Sequence, residues 1–172
     1  MKDLLLKTAD EIGQAAFADM VNSYVRNGTP FLGMTSIADY EAFLRMCRAH
    51  ESGKRLPRGS VPYTRYFMCD STGTIYAQGD VRHYPSESLT RYEGYLGYGT
   101  VPDYRGMGFG TQMCRLLLEK ARELGYNEVI ITCNIENQAS ARIIEKNGGK
   151  LIEICYWQQQ QSFMKRYCCQ LV

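Results

Sequence analysis

"RGMGFGTQMCRLLLEKARELGY", residues 105–126, sets three glycines at alternate positions directly in front of a helical pattern. Behind them Met113, Leu116, Leu117, Ala121 and Leu124 recur at three- and four-residue spacing as one apolar stripe, and Gly125 supplies the stop. The first amides of a helix have no partner within it, and the helix dipole adds partial positive charge there. An anion, above all a phosphate, suits that end. Gly106, Gly108 and Gly110 present bare backbone, so phosphate oxygens can reach the amides. Arg105 either adds charge or fixes the loop by bonding backbone carbonyls. The stretch is not a P-loop, because Thr111 rather than lysine follows Gly110. Its G-x-G-x-G spacing also departs from the dinucleotide fingerprint, which belongs to a parallel βαβ unit.

The segments ahead of the glycines read as an antiparallel meander. "YTRYFMCD" (63–70) and "TIYAQGDVRHY" (74–84) are strand-like runs joined by Asp70-Ser71-Thr72-Gly73, a hairpin turn by composition. The loop "PSESLTR" (85–91) leads to a third run, "YEGYLGYGTV" (92–101). Further upstream, "LLLK" (4–7) reads as a short edge strand. Ile12, Ala16, Met20 and Tyr24 mark a helix from Ala9 to about Arg26, ended by Asn27-Gly28-Thr29-Pro30. A second helix is expected from Ser36 or Ile37 to His50, with Ser36 as N-cap and Tyr40, Leu44 and Cys47 inward, before the polar loop 51–62. Downstream, "EVIITC" (128–133) is a buried strand and Asn137–Asn147 a helix closed by Gly148 and Gly149. Lys150–Trp157 and Ser162–Leu171 are two final strands. The order specifies a mixed α/β sheet.

Composition narrows the function. The 172 residues suit one domain; 45% are hydrophobic and 22% charged, as in ordinary globular proteins. A net charge of +2 is too small to argue for nucleic acid or a membrane surface. No apolar run is long enough to span a bilayer, and "MKDLLLKTADE" is too short and acidic for a signal peptide, so a cytoplasmic location is expected. Seven cysteines without a C-x-x-C pair read as reduced core thiols, and two histidines offer few ligands for a metal.

"TVPDYRGMGFGTQM" (100–113) resembles the acetyl-CoA-binding signature of the GNAT N-acetyltransferase superfamily, Arg/Gln-x-x-Gly-x-Gly/Ala, matched by Arg105, Gly108 and Gly110. "NIENQASARIIEKNGGKL" (134–151) resembles the family's next motif, matched by Asn137, Glu145, Lys146 and Gly148, with Ser140 near the usual alanine. The resemblance implies that residues 1–172 are one GNAT acyltransferase domain. Its sheet would be mixed and mostly antiparallel, with a central splayed parallel strand pair and flanking helices. It implies acetyl-CoA as cosubstrate and no metal. Amides of Arg105, Gly106, Met107, Gly108, Phe109, Gly110 and Thr111 would hold the pyrophosphate. The strand ending at Thr100 and Val101 would splay from "EVIITC" and pair with the pantetheine arm. Asn137 and Ser140 would line the cofactor, with capping of the following helix as the other role of Asn137. The partners implied are a primary amine of a small molecule or peptide and a second copy in a homodimer, with neither nucleic acid nor membrane.

Acetyl transfer needs a neutral amine, and an amine of pKa about 10.4 is about one part in a thousand neutral near pH 7.4, a cost of roughly 4 kcal/mol. Glu93, at the start of the third run and on the face of Tyr95, Gly97 and Gly99, is the candidate general base, or else a solvated strand end. His83, Tyr95 and Tyr98 are candidates for the substrate cleft. The family's tyrosine acid falls on Ile144, and the phenylalanine after Gly148 on Gly149. Tyr156 is then the first choice to replace the acid, with Tyr98 another tyrosine on a plausible strand, or the thiolate would leave unassisted. A coenzyme A-binding sensor or structural domain without useful turnover is the alternative that Ile144 raises.

Overall fold

The computed structural model describes residues 4–31, 39–54, 56–57 and 59–171. The chain begins with β1 (Leu5–Thr8), an edge strand, as "LLLK" suggests. The helix expected from Ala9 onward is divided. Glu11 turns back to accept from the Thr8 amide (2.7 Å) and hydroxyl (2.8 Å), which closes a short 3-10 turn over Ala9–Glu11. Extended backbone at Ile12 and Gly13 then separates it from α1 (Gln14–Arg26). α2 (Tyr40–Glu51) is capped by Asp39, whose carboxylate accepts from the Ala42 amide; the expected start at Ser36 or Ile37 lies outside the described residues.

The hairpin forms where alternation places it, from β2 (Tyr63–Cys69) and β3 (Ile75–Arg82). The third run is shorter than its pattern implies. Leu89–Glu93 winds into a wide helical turn, and β4 is confined to Leu96–Thr100. Glu93 therefore ends a helical turn instead of beginning a strand. Gly94 sets this boundary: its φ is +75°, and a Cβ there would lie 3.0 Å from Thr132 N and 3.2 Å from Ile130 O. α3 (Phe109–Glu123), β5 (Glu128–Asn134), α4 (Gln138–Lys146), β6 (Lys150–Trp157) and β7 (Ser162–Gln170) complete the chain close to their sequence bounds.

Two antiparallel sheets result, one ordered β1-β2-β3-β4 and the other β5-β7-β6. Alternation gives the first sheet two buried faces. Ala77 and Val81 face α3, whose Met113, Leu117 and Ala121 are buried, whereas Leu124 at the end of the expected stripe is exposed. Phe67 faces α1 and α2, within an aromatic cluster that includes Phe17, Phe31 and Phe43. Cys47, Cys69, Cys114, Cys133 and Cys169 are buried. Burial pushes the Cys114 thiol up to about 12 and those of Cys47 and Cys69 to about 11, which makes them poor nucleophiles.

The two departures at the end of α4 are one packing solution. Ile144 is fully buried, and its Cγ2 would lie 2.3 Å from a Cβ on residue 149, with Cys169 Sγ at 3.1 Å. Isoleucine in that space requires glycine opposite it. Gly149→Ala should therefore cost about 1–3 kcal/mol by overpacking, measured by urea unfolding. In an Ile144→Ala background the same substitution should cost less; equal costs would show that the two residues do not share the space.

Candidate functional site

The site begins with a strand that has an open edge. Arg82 N donates to Tyr95 O at 3.0 Å and Val101 N to Tyr76 O at 2.9 Å, while the register pairs Asp80 with Gly97 and Gln78 with Gly99. Alternation of an antiparallel ladder then turns the backbone groups of Gly97 and Gly99 toward β3 and those of Tyr98 and Thr100 away from it. On that far side Tyr95 N donates to Ile130 O at 2.7 Å, joining the two sheets at one end. Beyond this bond no strand ladder covers the β4 edge among the described residues. Val101, expected beside Thr100 at the ligand, turns its amide to β3 and is buried.

The glycine loop follows. Gly106 and Gly108 have φ of +78° and +87°, and a Cβ on either would meet nothing within 4 Å. Gly108 is the N-cap of α3 and offers no side-chain cap, and no acidic residue lies in the first turn. Gln112 N donates to Gly108 O at 3.2 Å, the first bond of the helix, so the amides of Phe109, Gly110 and Thr111 have no acceptor within it. Arg105 and Met107 are exposed beside them. Gly110 has a different purpose from its neighbours. It is buried, and a Cβ there would lie 2.8 Å from Ile143 Cδ1 and 3.0 Å from Thr100 Oγ1. Its lack of a side chain seats the helix against α4 and brings the helix start into contact with the end of the open edge.

The other candidates fall into two groups. Tyr98 reaches α4, where its hydroxyl lies 3.0 Å from Ser140 Oγ, and burial raises its phenol far above the ordinary range. Asn137 caps α4, its Oδ1 accepting from Ser140 N at 3.0 Å. Around the opposite end of β4, Glu93 lies in a cleft of about 370 Å³ with Ser60, Tyr63, Arg82, Ser86 and Ser88, and Ser88 Oγ donates to its carboxylate at 2.5 Å. Tyr156 is half exposed in a neighbouring groove that shares Ser88 and Gln159 with that cleft. His83 is held by the Thr64 hydroxyl at 2.9 Å, and Tyr95 is buried against Tyr126 with its hydroxyl 2.9 Å from Thr90 Oγ1; neither lines the cleft. Arg65 and Asp80, which the sequence reading passed over, pair behind it. Their signal was a cross-strand match of opposite charges inside apolar strands. Among the described residues no group of three or more His, Cys, Asp and Glu side chains could hold a metal ion.

Residues 17–150 match the family model for the acetyltransferase (GNAT) domain. The chain belongs to the GNAT acetyltransferase family. No curated protein matches the sequence. Among solved structures it resembles yncA, a putative acetyltransferase from Salmonella typhimurium with its cofactor acetyl-CoA, at 17% identity and TM-score 0.62 over 98% of this chain and 94% of that one. A chimera of the spermidine N-acetyltransferase SpeG from Vibrio cholerae and hSSAT matches at 12% identity and TM-score 0.63, covering 98% and 95%. RimL, a ribosomal L7/L12 alpha-N-protein acetyltransferase, matches at 16% identity and TM-score 0.64, covering 98% and 93%. These likenesses establish the GNAT fold, while the geometry above shows how this chain builds it. The Asn137 cap is its most direct local test. Asn137→Ala should cost about 1 kcal/mol of unfolding free energy without ligand, and Asn137→Asp should recover most of it.

Proposed function

We propose that the protein is an N-acetyltransferase that moves the acetyl group of acetyl-CoA to a primary amine of a small molecule or peptide, by direct attack in a ternary complex. We place residues 1–172 in one acyltransferase domain with a cytoplasmic location. No helix among the described residues is long and apolar enough to cross a membrane. The observation that carries the reading is the contact between the uncapped start of α3 and the open β4 edge, through Gly110 and Thr100.

Those two features fit the two chemical halves of coenzyme A. The amides of Phe109, Gly110 and Thr111, with the open loop over Arg105, Gly106, Met107 and Gly108, suit a pyrophosphate. The backbone groups of Tyr98 and Thr100 suit the amides of a pantetheine arm lying between β4 and a parallel β5. Bound there, acetyl-CoA supplies an activated acyl thioester. The open amides of β4 are donors for the thioester oxygen as charge grows on it. Glu93 accepts the proton of the incoming amine, directly or through water. Tyr98 is our choice of acid on geometry, because its hydroxyl meets α4 at Ser140, one turn before Ile144. Tyr156 is the alternative, across the adjoining groove. Asn137 and Ser140 support this side of the ligand mainly by holding α4 and the Tyr98 hydroxyl.

The buried Ile144 in place of the family's tyrosine favours a second reading, a coenzyme A-binding domain with little turnover. Thiol release with a panel of amines separates the two. Acetyl-CoA should raise the melting temperature, and Gly108→Asn should remove that shift while the free protein stays folded. Asparagine tolerates positive φ, yet puts a side chain where the phosphate belongs. An undiminished shift contradicts the loop assignment. Tyr98→Phe should lower kcat at least tenfold, within the roughly 10²–10⁴-fold range of general acid assistance, and Tyr156→Phe should change it little. The opposite order would make Tyr156 the acid.

We also propose a homodimer through β6, an edge strand whose Leu151, Ile152 and Ile154 are 49%, 51% and 48% exposed. Sedimentation should give twice the chain mass, and Ile152→Lys should reduce it to a monomer.

A further inference from the structure

Taking the transferase reading as its basis, we infer that the acceptor is a primary amine that also carries a carboxylate, an amino-acid-like zwitterion seated between Glu93 and Arg82. Arg82 and Glu93 are the ionisable pair of opposite sign that the 370 Å³ cleft presents, together with the hydroxyls of Ser60, Tyr63, Ser86 and Ser88. That volume lies within the range of small-molecule sites.

The charge behind Arg82 decides what it can bind. Its guanidinium pairs with Asp80, which is also 3.5 Å from Arg65, and the Arg65 and Asp80 side chains are only 7% and 8% exposed. Both guanidinium carbons flank the Tyr63 ring, at 5.6 Å for Arg65 and 5.4 Å for Arg82, and His50 Nδ1 fixes the Tyr63 hydroxyl at 2.5 Å. Two arginines and one aspartate leave a net charge of +1 in a buried cluster. Asp80 alone would cancel Arg82; Arg65 offsets Asp80 and leaves the charge of Arg82, which is 20% exposed, for a ligand.

The cluster is also short of acceptors. Arg65 Nε and NH1 are buried and have no hydrogen-bond partner among the described residues. Arg65 does not line the cleft, so it acts on a ligand only through its charge, as a buried cation that Asp80 must offset. One carboxylate supplies one negative charge and the planar acceptor pair that a guanidinium prefers, whereas a phosphate dianion would overshoot. Gly97 keeps the approach low, since its Cβ would lie 3.0 Å from Asp80 Oδ1 and 3.3 Å from Arg82 NH1. The ammonium end of the zwitterion then meets Glu93, where it gives up its proton. A polyamine would bring a second cation against Arg82. Arg82 is thus a specificity residue, and Arg65 a positioning residue acting through Asp80.

Binding is read first, by thermal shift at saturating coenzyme A. The probes are N-acetylalanine, N-acetylglutamate and N-acetyltyrosine, each beside its uncharged C-terminal amide. The acids should stabilise the protein and the amides should not. Arg82→Gln should erase that difference while keeping its response to coenzyme A, and Arg82→Lys should retain part of it. Equal response to acid and amide, including none to either, overturns the assignment, as does an unchanged difference in Arg82→Gln. Turnover is read second, on the free amino acids, their amides and spermidine. kcat/KM should be at least tenfold higher for the acids, although an amide's amine loses its proton more easily. Amides or spermidine matching the acids overturn the inference. Thiol release from none of them overturns the inference on substrate, the broader amine panel decides the transferase reading, and the binding arm decides the anion site by itself.

Discussion

The hydrogen bond from the Tyr95 amide to the Ile130 carbonyl holds two sheets together at a single end, and most of the architecture serves that junction. Gly94 lets the backbones approach by leaving no Cβ against Ile130 and Thr132. Tyr95, buried on Tyr126 and bonded to Thr90, anchors the junction from the side. Past it, β4 bonds β3 and offers its other edge to whatever enters. That edge is half-buried, so water can meet its backbone groups until a ligand does. A ligand that pairs with Tyr98 and Thr100 therefore replaces solvent along a preformed edge. The packing of Gly110 on Thr100 and Ile143 places the anion-receptive end of α3 at the far end of the same edge.

Much of this was legible in the sequence where periodicity and turn chemistry agree. The β2–β3 hairpin, α3, β5, α4 and the two last strands fall within a residue or two of their patterns. Failures occurred where local hydrogen bonding overrides period. Glu11 folds back on Thr8 and breaks a continuous apolar repeat. Tyr92 and Glu93 have strand-like neighbours, yet the Ser86 carbonyl captures the Thr90 amide and the Leu89 carbonyl captures that of Gly94. Alternation cannot report such a turn. The glycine triplet was legible as a helix entry, but its division of labour needed the structure: two glycines provide positive φ, and the third provides a packing surface.

Site chemistry was less legible for a related reason. A cleft gathers residues distant in sequence, and only their charges are visible beforehand. Arg65 and Asp80 sit among apolar residues of two strands, where opposite charges suggest a structural pair. The geometry adds Arg82 on the same carboxylate, and with it the excess of positive charge. Conversely, Ile144 looked like a lost catalytic group. Its contact with the space over Gly149 shows a coordinated repacking, and it leaves the Tyr98 hydroxyl beside Ser140 on the same helix.

The central claim is that one coenzyme A molecule engages the open β4 edge and the uncapped helix start together. Residue-resolved amide exchange by NMR, with and without coenzyme A, tests it most directly. The account predicts slowed exchange and shifted resonances at Tyr98 or Thr100 and at Gly110 and Thr111, at the same ligand concentration. Saturable binding that leaves the Tyr98 and Thr100 amides unchanged, or that protects the β4 edge without the helix start, would contradict it.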